Sequence, residues 1–104
     1  MKPLTPLTYS ILLALADAAR HGYGIIKEIE ARAGEGSAPT TGALYLALQR
    51  MEGEGLIEEA KRPRTKSDDR RRRYWSLTRR GREVLEAESR RLAALVAAAR
   101  EKDV

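Results

Sequence analysis

The thirteen residues from Lys61 to Arg73 do not fit a hydrophobic core. Eight of them are basic and two acidic, so this one segment carries about +6 against +5 for the whole chain of 104 residues. It is flanked by two stretches, Leu56 to Ala60 and Tyr74 to Leu77, that are too short for helices. In the second, Trp75 and Leu77 alternate with Tyr74 and Ser76 as in a half-buried strand. The chain is therefore expected to turn back on itself through a charged tip, forming a two-stranded cationic hairpin. Charge concentrated on a projecting loop suits a polyanion, because each phosphate neutralised releases condensed counterions. A solvated loop with no partner is the other reading of the same run.

The rest of the composition narrows the class. A chain of this length holds one core, and Phe is absent, with Trp75 and four tyrosines as the only other aromatics. Leu, Ile, Val and Ala must supply the interior, which favours helices over a sandwich, and a dimer partner would add burial. There is no cysteine, which excludes disulfides and thiolate metal sites and agrees with a reducing cytoplasm. His21, the only histidine, cannot build a usual zinc site or pair with a cysteine nucleophile. With no glycine-rich phosphate loop, serine elbow or cluster of histidines and carboxylates, the chain does not read as an enzyme, and no cofactor is expected. The apolar stretch after Lys2 is interrupted by Pro3, Pro6, Tyr9 and Ser10, and no run approaches the roughly 18 apolar residues of a membrane span. A soluble, cytoplasmic protein without membrane contact is expected.

Along the chain, Thr5-Pro6 resembles a helix start, and Leu7, Ile11, Leu12 and Leu15 recur at helical spacing towards Ala19. Arg20, His21 and Gly22 break that pattern, and Tyr23, Ile25, Ile26, Ile29 and Ala33 form a second stripe ending at Gly34. A turn from Gly34 to Pro39 follows, after which Thr40 or Thr41 caps a third helix. There Leu44, Leu48 and Met51 share one face, opposite Thr41, Tyr45, Gln49 and Glu52, and Gly53 and Gly55 end it. After the hairpin, Thr78 caps a long last helix through about Arg100, roughly 33 Å at 1.5 Å per residue. Leu85, Leu92 and Ala99 are spaced by seven along it, with Leu95 and Val96 beside them.

Three helices, a basic hairpin and a trailing amphipathic helix follow the order of a winged helix-turn-helix domain. The expected fold class is mainly α with a two-stranded β wing, as one continuous globular unit. Residues 1–78 form the DNA-binding part and residues 79–104 a dimerisation helix. In such a domain the helix after the turn enters the major groove, and the wing follows the backbone or the adjacent minor groove.

Local motifs in this order resemble the PadR family of transcriptional regulators: Ile11-Leu12, His21-Gly22-Tyr23, Pro39 to Tyr45 (PTTGALY), Glu54-Gly55-Leu56-Ile57, then Arg73 to Thr78 (RYWSLT) with Gly81 and Leu85. The resemblance covers roughly residues 7 to 90. It departs at Gly24, where many members carry an acid, at Ala43 for a common threonine, at Leu46 for a frequent proline, and at Trp75 for a usual tyrosine. Leu46 and Ala43 affect which base edges are read, so an operator sequence does not carry over. The resemblance implies a homodimer held by the last helix, of the compact branch with a single such helix, and repression that small ligands often relieve.

The candidate DNA-binding residues are Thr40, Thr41, Gly42, Tyr45, Gln49 and Arg50 on the third helix, with Arg62, Arg64, Lys66, Arg70, Arg71, Arg72 and Arg73 in the wing. Thr40, Thr41 and Gly42 open a helix whose free N–H groups suit a phosphate, though a hydroxyl there also simply caps. Tyr45 contacts a phosphate or thymine methyl, or packs beside the wing. Gln49 suits adenine and Arg50 suits guanine or phosphate, or both are solvated. The wing arginines position the backbone. Asp68 and Asp69 read as a turn rather than a metal site. Trp75 is core beneath the wing or part of a ligand pocket, and His21 is a pH sensor or an ordinary hydrogen-bonded, phosphate-proximal residue. Leu85, Leu92, Leu95 and Val96 form a dimer seam or an internal core. The expectation is a dimeric, sequence-specific DNA-binding regulator acting as a repressor; the alternative is an RNA-binding or protein-adaptor module on the same fold.

Overall fold

The structure is a computed structural model and describes residues 3–61 and 72–104. Its elements are helix α1 (Pro6–Ala14), strand β1 (Arg20–His21), helices α2 (Gly22–Ala33) and α3 (Thr41–Gly53), strands β2 (Ile57–Ala60) and β3 (Tyr74–Leu77), and helix α4 (Arg79–Glu101). This is the mainly helical winged arrangement that the sequence led us to expect, with a long last helix.

Each helix starts where side-chain chemistry provides for its free N–H groups. Thr5 accepts from the Thr8 N–H ahead of Pro6, Thr40 from Ala43, and Thr78 from Gly81. Of the two threonines before α3, Thr40 is thus the cap. His21 caps α2 through Nδ1, which accepts from the Gly24 N–H at 3.0 Å. At the other end of α3, Gly55 adopts a φ of +76°, and the Leu56 N–H returns to the Met51 carbonyl at 3.0 Å. That left-handed step turns the chain from α3 directly into β2.

Helix α1 is shorter than the apolar spacing towards Ala19 suggested. It ends at Ala14, and two arginines take over carbonyls that a longer helix would have bonded internally. Arg20 Nε donates to the Ala14 carbonyl at 2.7 Å and Arg82 Nη2 to that of Ala16 at 2.8 Å. The residues freed from the helix let Arg20 and His21 extend as β1. The sheet accordingly has three strands in the order β1-β3-β2, all antiparallel, where the sequence suggested two. Arg20 and His21 pair with Trp75 and Tyr74, and Ile57 to Ala60 pair with Leu77 to Tyr74.

One core lies between the helices and the sheet. Ile11, Leu12, Ile25, Leu44, Leu48, Met51 and Ile57 are its most deeply buried large side chains. The face of α3 read from Leu44, Leu48 and Met51 is the buried one, so truncating Leu48 to alanine would cost about 2–5 kcal/mol. Trp75 is 2% exposed and packs in this core beneath the wing. The molecule is elongated, 51 × 29 × 24 Å, because α4 is about 34 Å long. Its first turns bury Gly81, Val84, Leu85 and Glu88, and its later turns are largely exposed.

Candidate nucleic-acid interface

Burying Leu44, Ala47, Leu48 and Met51 rotates the other side of α3 outward. Thr41, Gly42, Ala43, Tyr45, Leu46, Gln49 and Arg50 are all exposed. At its start the Thr40 hydroxyl satisfies one of the free N–H groups, at 3.1 Å from Ala43 N. The remaining first-turn N–H groups and the positive end of the helix dipole face solvent, an arrangement that favours an anion.

Tyr45 is half-exposed and lies against the start of α2. A Cβ built on Gly22 would approach its hydroxyl to 2.7 Å, so glycine there is what lets the ring come so close. The ring is thus braced by α2 and retains an open side. Gln49 shares a depression of about 270 Å³ with Tyr45, Glu52, Arg73 and Trp75 between α3 and the base of the wing.

Arg50 has partners within the protein. Its Nη2 donates to the Thr8 hydroxyl at 2.6 Å and its Nε lies 3.7 Å from Glu54, so the guanidinium is engaged with the protein's own body. A charged donor held by the buried Thr8 hydroxyl ties α3 to α1. Arg73 is also held, by Glu59 at 3.1 Å and by the Trp75 ring, whose centroid lies 4.5 Å from the guanidinium carbon. Both partners of that ion pair are about half exposed, so the pair is weak and open to exchange for a phosphate. Arg72 Nη1 stands 3.0 Å from His21 Nε2. Arg62, Arg64, Lys66, Arg70 and Arg71, with Asp68 and Asp69 at the expected turn, lie outside the described residues.

The sequence reading placed Tyr23 in the apolar stripe of α2 and passed over Lys27, but both are exposed on the outer side of the helix. Tyr23 stacks on His21 with ring centroids 6.4 Å apart, and Lys27 Nζ lies 5.3 Å from the Tyr23 centroid. They extend the basic and aromatic surface beyond β1, and their i, i+4 spacing is the signal that marks them in the sequence.

The expected dimer seam divides in two. Leu85 belongs to the chain's own core at the first turns of α4, which corrects its place among interface residues. Leu92 is half-buried, and Leu95 and Val96 are exposed. The heptad spacing that joined Leu85 to Leu92 is real, but the body of the domain covers the first and not the second. A groove of about 590 Å³ runs between α1 and α2 beside exposed Leu13.

Among the described residues no helix is long and apolar enough to cross a membrane, and no group of three or more histidines or carboxylates stands where it could hold a metal ion.

Comparison with known proteins places these features in context. The model of the transcriptional regulator PadR-like family matches residues 11–87. A protein carried by a Streptomyces fradiae transposon is 40% identical over 85 residues; this covers 82% of the chain but 22% of that relative, about a fifth of its length. A PadR family transcription regulator from hypervirulent Clostridium difficile superposes with a TM-score of 0.79 at 26% identity, over 96% of this chain and all of that one. A PadR-like regulator from Bacillus cereus gives 0.76 at 23% identity, over 91% and 88%. Bacillus subtilis PadR, solved in complex with operator DNA, gives 0.65 at 22% identity, over 80% and 46%.

Proposed function

The chain belongs to the PadR-like family of transcriptional regulators, and from this premise we propose that it acts as a homodimeric repressor that binds double-stranded operator DNA sequence-specifically and is relieved by a small-molecule effector. The observation that carries the reading is the outward face of α3, capped by Thr40 and set beside a strongly basic wing. The DNA-bound Bacillus subtilis PadR shares this fold and supports placing a duplex against that face.

In this reading Thr41, Tyr45 and Gln49 face base edges, and the N–H groups behind Thr40 and Gly42 receive a phosphate. The wing arginines, from Arg62 to Arg73, neutralise the flanking backbone. Arg50 braces α3 through Thr8 and Glu54, and its half-exposed guanidinium keeps further donors for a backbone phosphate.

Arg72, which stands beside His21, adds a backbone contact. A neutral imidazole has one lone pair, and the Gly24 N–H uses that of Nδ1, so Nε2 carries the proton and faces the Arg72 guanidinium donor. Residues 1–78 thus serve as the DNA-binding part and residues 79–104 as the dimerisation helix, with Leu92, Leu95 and Val96 meeting a second copy. The likeness extends over a fifth of the transposon protein, so this reading concerns the winged unit alone.

The test separates base reading from backbone holding. With duplex from upstream of the protein's own gene, Gln49→Ala is expected to change preference at one base position by about 1–3 kcal/mol. Arg72→Ala is expected to weaken every sequence alike and flatten the salt slope by about one unit. Equal losses by both variants on every duplex would contradict the assignment.

A further inference from the structure

Leu46 is 70% exposed, more than any other large apolar side chain within the described helices. Its neighbours on the same face of α3, at three and four residues' distance, are Gly42, Ala43, Gln49 and Arg50, all exposed. Open space surrounds Gly42, where an added Cβ would meet nothing within 4 Å. Tyr45 leans towards Gly22, and Arg50 is tied to Thr8. Towards the start of α3, then, the outward surface is low, and Leu46 stands above it.

Such a helix can approach base edges closely, with Leu46 among the first side chains to arrive. Leucine has no donor or acceptor, so it gains nothing from the polar edges of guanine, cytosine or adenine. Pressing it against them would strip water from groups it cannot bond. The one apolar group that a base presents in the major groove is the C5-methyl of thymine. A single leucine is also far too little surface for a stable protein partner, which needs about 800 Å² from each side. The charge of the chain favours a polyanion, since the segment from Lys61 to Arg73 carries about +6.

We propose that Leu46 is a specificity-determining residue that reads a thymine methyl group, fixing one A·T pair in each half-site. The proposal rests on the DNA-binding reading above and narrows it. Gln49, one turn further along the same face, then takes an adenine at a neighbouring step, so the contacted core of the operator is A·T-rich on the α3 side.

The experiment removes only the methyl. The full chain is used to enrich duplexes from a randomised pool, and in the enriched duplex each thymine is replaced in turn by deoxyuridine. Burial of one methyl corresponds to about a fourfold change in affinity. One position per half-site is expected to cost the wild type about this factor, while Leu46→Ala binds thymine and uracil duplexes alike. Leu46 packs against nothing in the core, so the variant folds, which a thermal melt verifies. Indifference of the wild type to every replacement, or unchanged discrimination in Leu46→Ala, would overturn the proposal while leaving specific binding intact. Enrichment of no duplex at all would overturn the DNA-binding reading itself, and this inference with it.

Discussion

At the scale of single residues, Gly81 shows how an exception to a local rule exposes tertiary packing. Within a helix, glycine to alanine ordinarily stabilises by up to about 1 kcal/mol. A Cβ at Gly81, however, would fall on the Leu56 carbonyl oxygen and within 2.9 Å of its carbon, and backbone atoms cannot step aside. Gly81→Ala is therefore expected to destabilise by about 2 kcal/mol or more, seen as a lower urea midpoint at unchanged slope. Sequence could name this glycine through the family resemblance but could not supply its reason, because the contact joins α4 to the turn between α3 and β2 across 25 positions. Arg50 and Arg73 teach the same lesson. Both are basic residues near the expected interface, and only the fold shows the partners each has within the protein, Thr8 with Glu54 and Glu59 with Trp75.

At the scale of elements, legibility followed periodicity. Helices α2, α3 and α4 were readable to within a residue or two because each has a cap, an apolar stripe and a stop, all local signals. Strand β1 is two residues long, too short for any period, and it forms only because β3 offers an edge to pair with. The apolar spacing of α1 ran on past its true end, where Arg20 and Arg82 bond the last carbonyls.

Helix α4 is fastened to the start of the chain by Glu88. Its carboxylate accepts from Arg91 at 2.6 and 2.8 Å and from the Leu4 N–H at 3.2 Å, and Tyr9 and Ser89 share a hydrogen bond of 2.8 Å nearby. The Arg91 hydrogen bonds hold the Glu88 carboxyl below its ordinary value of 4.5, against the opposing effect of burial and with help from Leu4. A carboxyl lowered in the folded state stabilises above its unfolded value and loses that contribution as pH falls through the folded one. Thermal melts of the wild type should therefore fall below about pH 4.5 more steeply than those of Glu88→Gln, which lacks the titrating group. Parallel curves would show that the clamp contributes nothing to the acid limb.

At the scale of the whole molecule, the position of the charge and the length of α4 determine what the fold can do. The segment from Lys61 to Arg73 alone exceeds the net charge of the chain, so the remaining residues together are near neutral and the attraction for a polyanion is concentrated in that one segment. The outer half of α4 offers Leu95 and Val96 at 55% and 51% exposure, and no other described residue covers them. Leu95→Glu combined with Val96→Glu is expected to convert a dimer into a folded monomer by light scattering at micromolar concentration, and to weaken DNA binding through loss of the second half-site. A wild type that is already monomeric there would contradict the dimer seam. The division between Leu85, inside the domain, and Leu92, beyond it, was not legible from heptad spacing, because spacing does not reveal where the body of a domain stops.

The most direct test of the account is fluorescence anisotropy of the wild-type chain with labelled duplex from upstream of its own gene, beside unrelated duplex and a hairpin RNA, across a salt series. Sequence-specific recognition through α3 predicts that the upstream duplex binds at least about 10³-fold more tightly than either competitor, with all affinities falling as salt rises. Equal binding to all three, lost together with salt, would contradict operator recognition and leave only the charge of the wing.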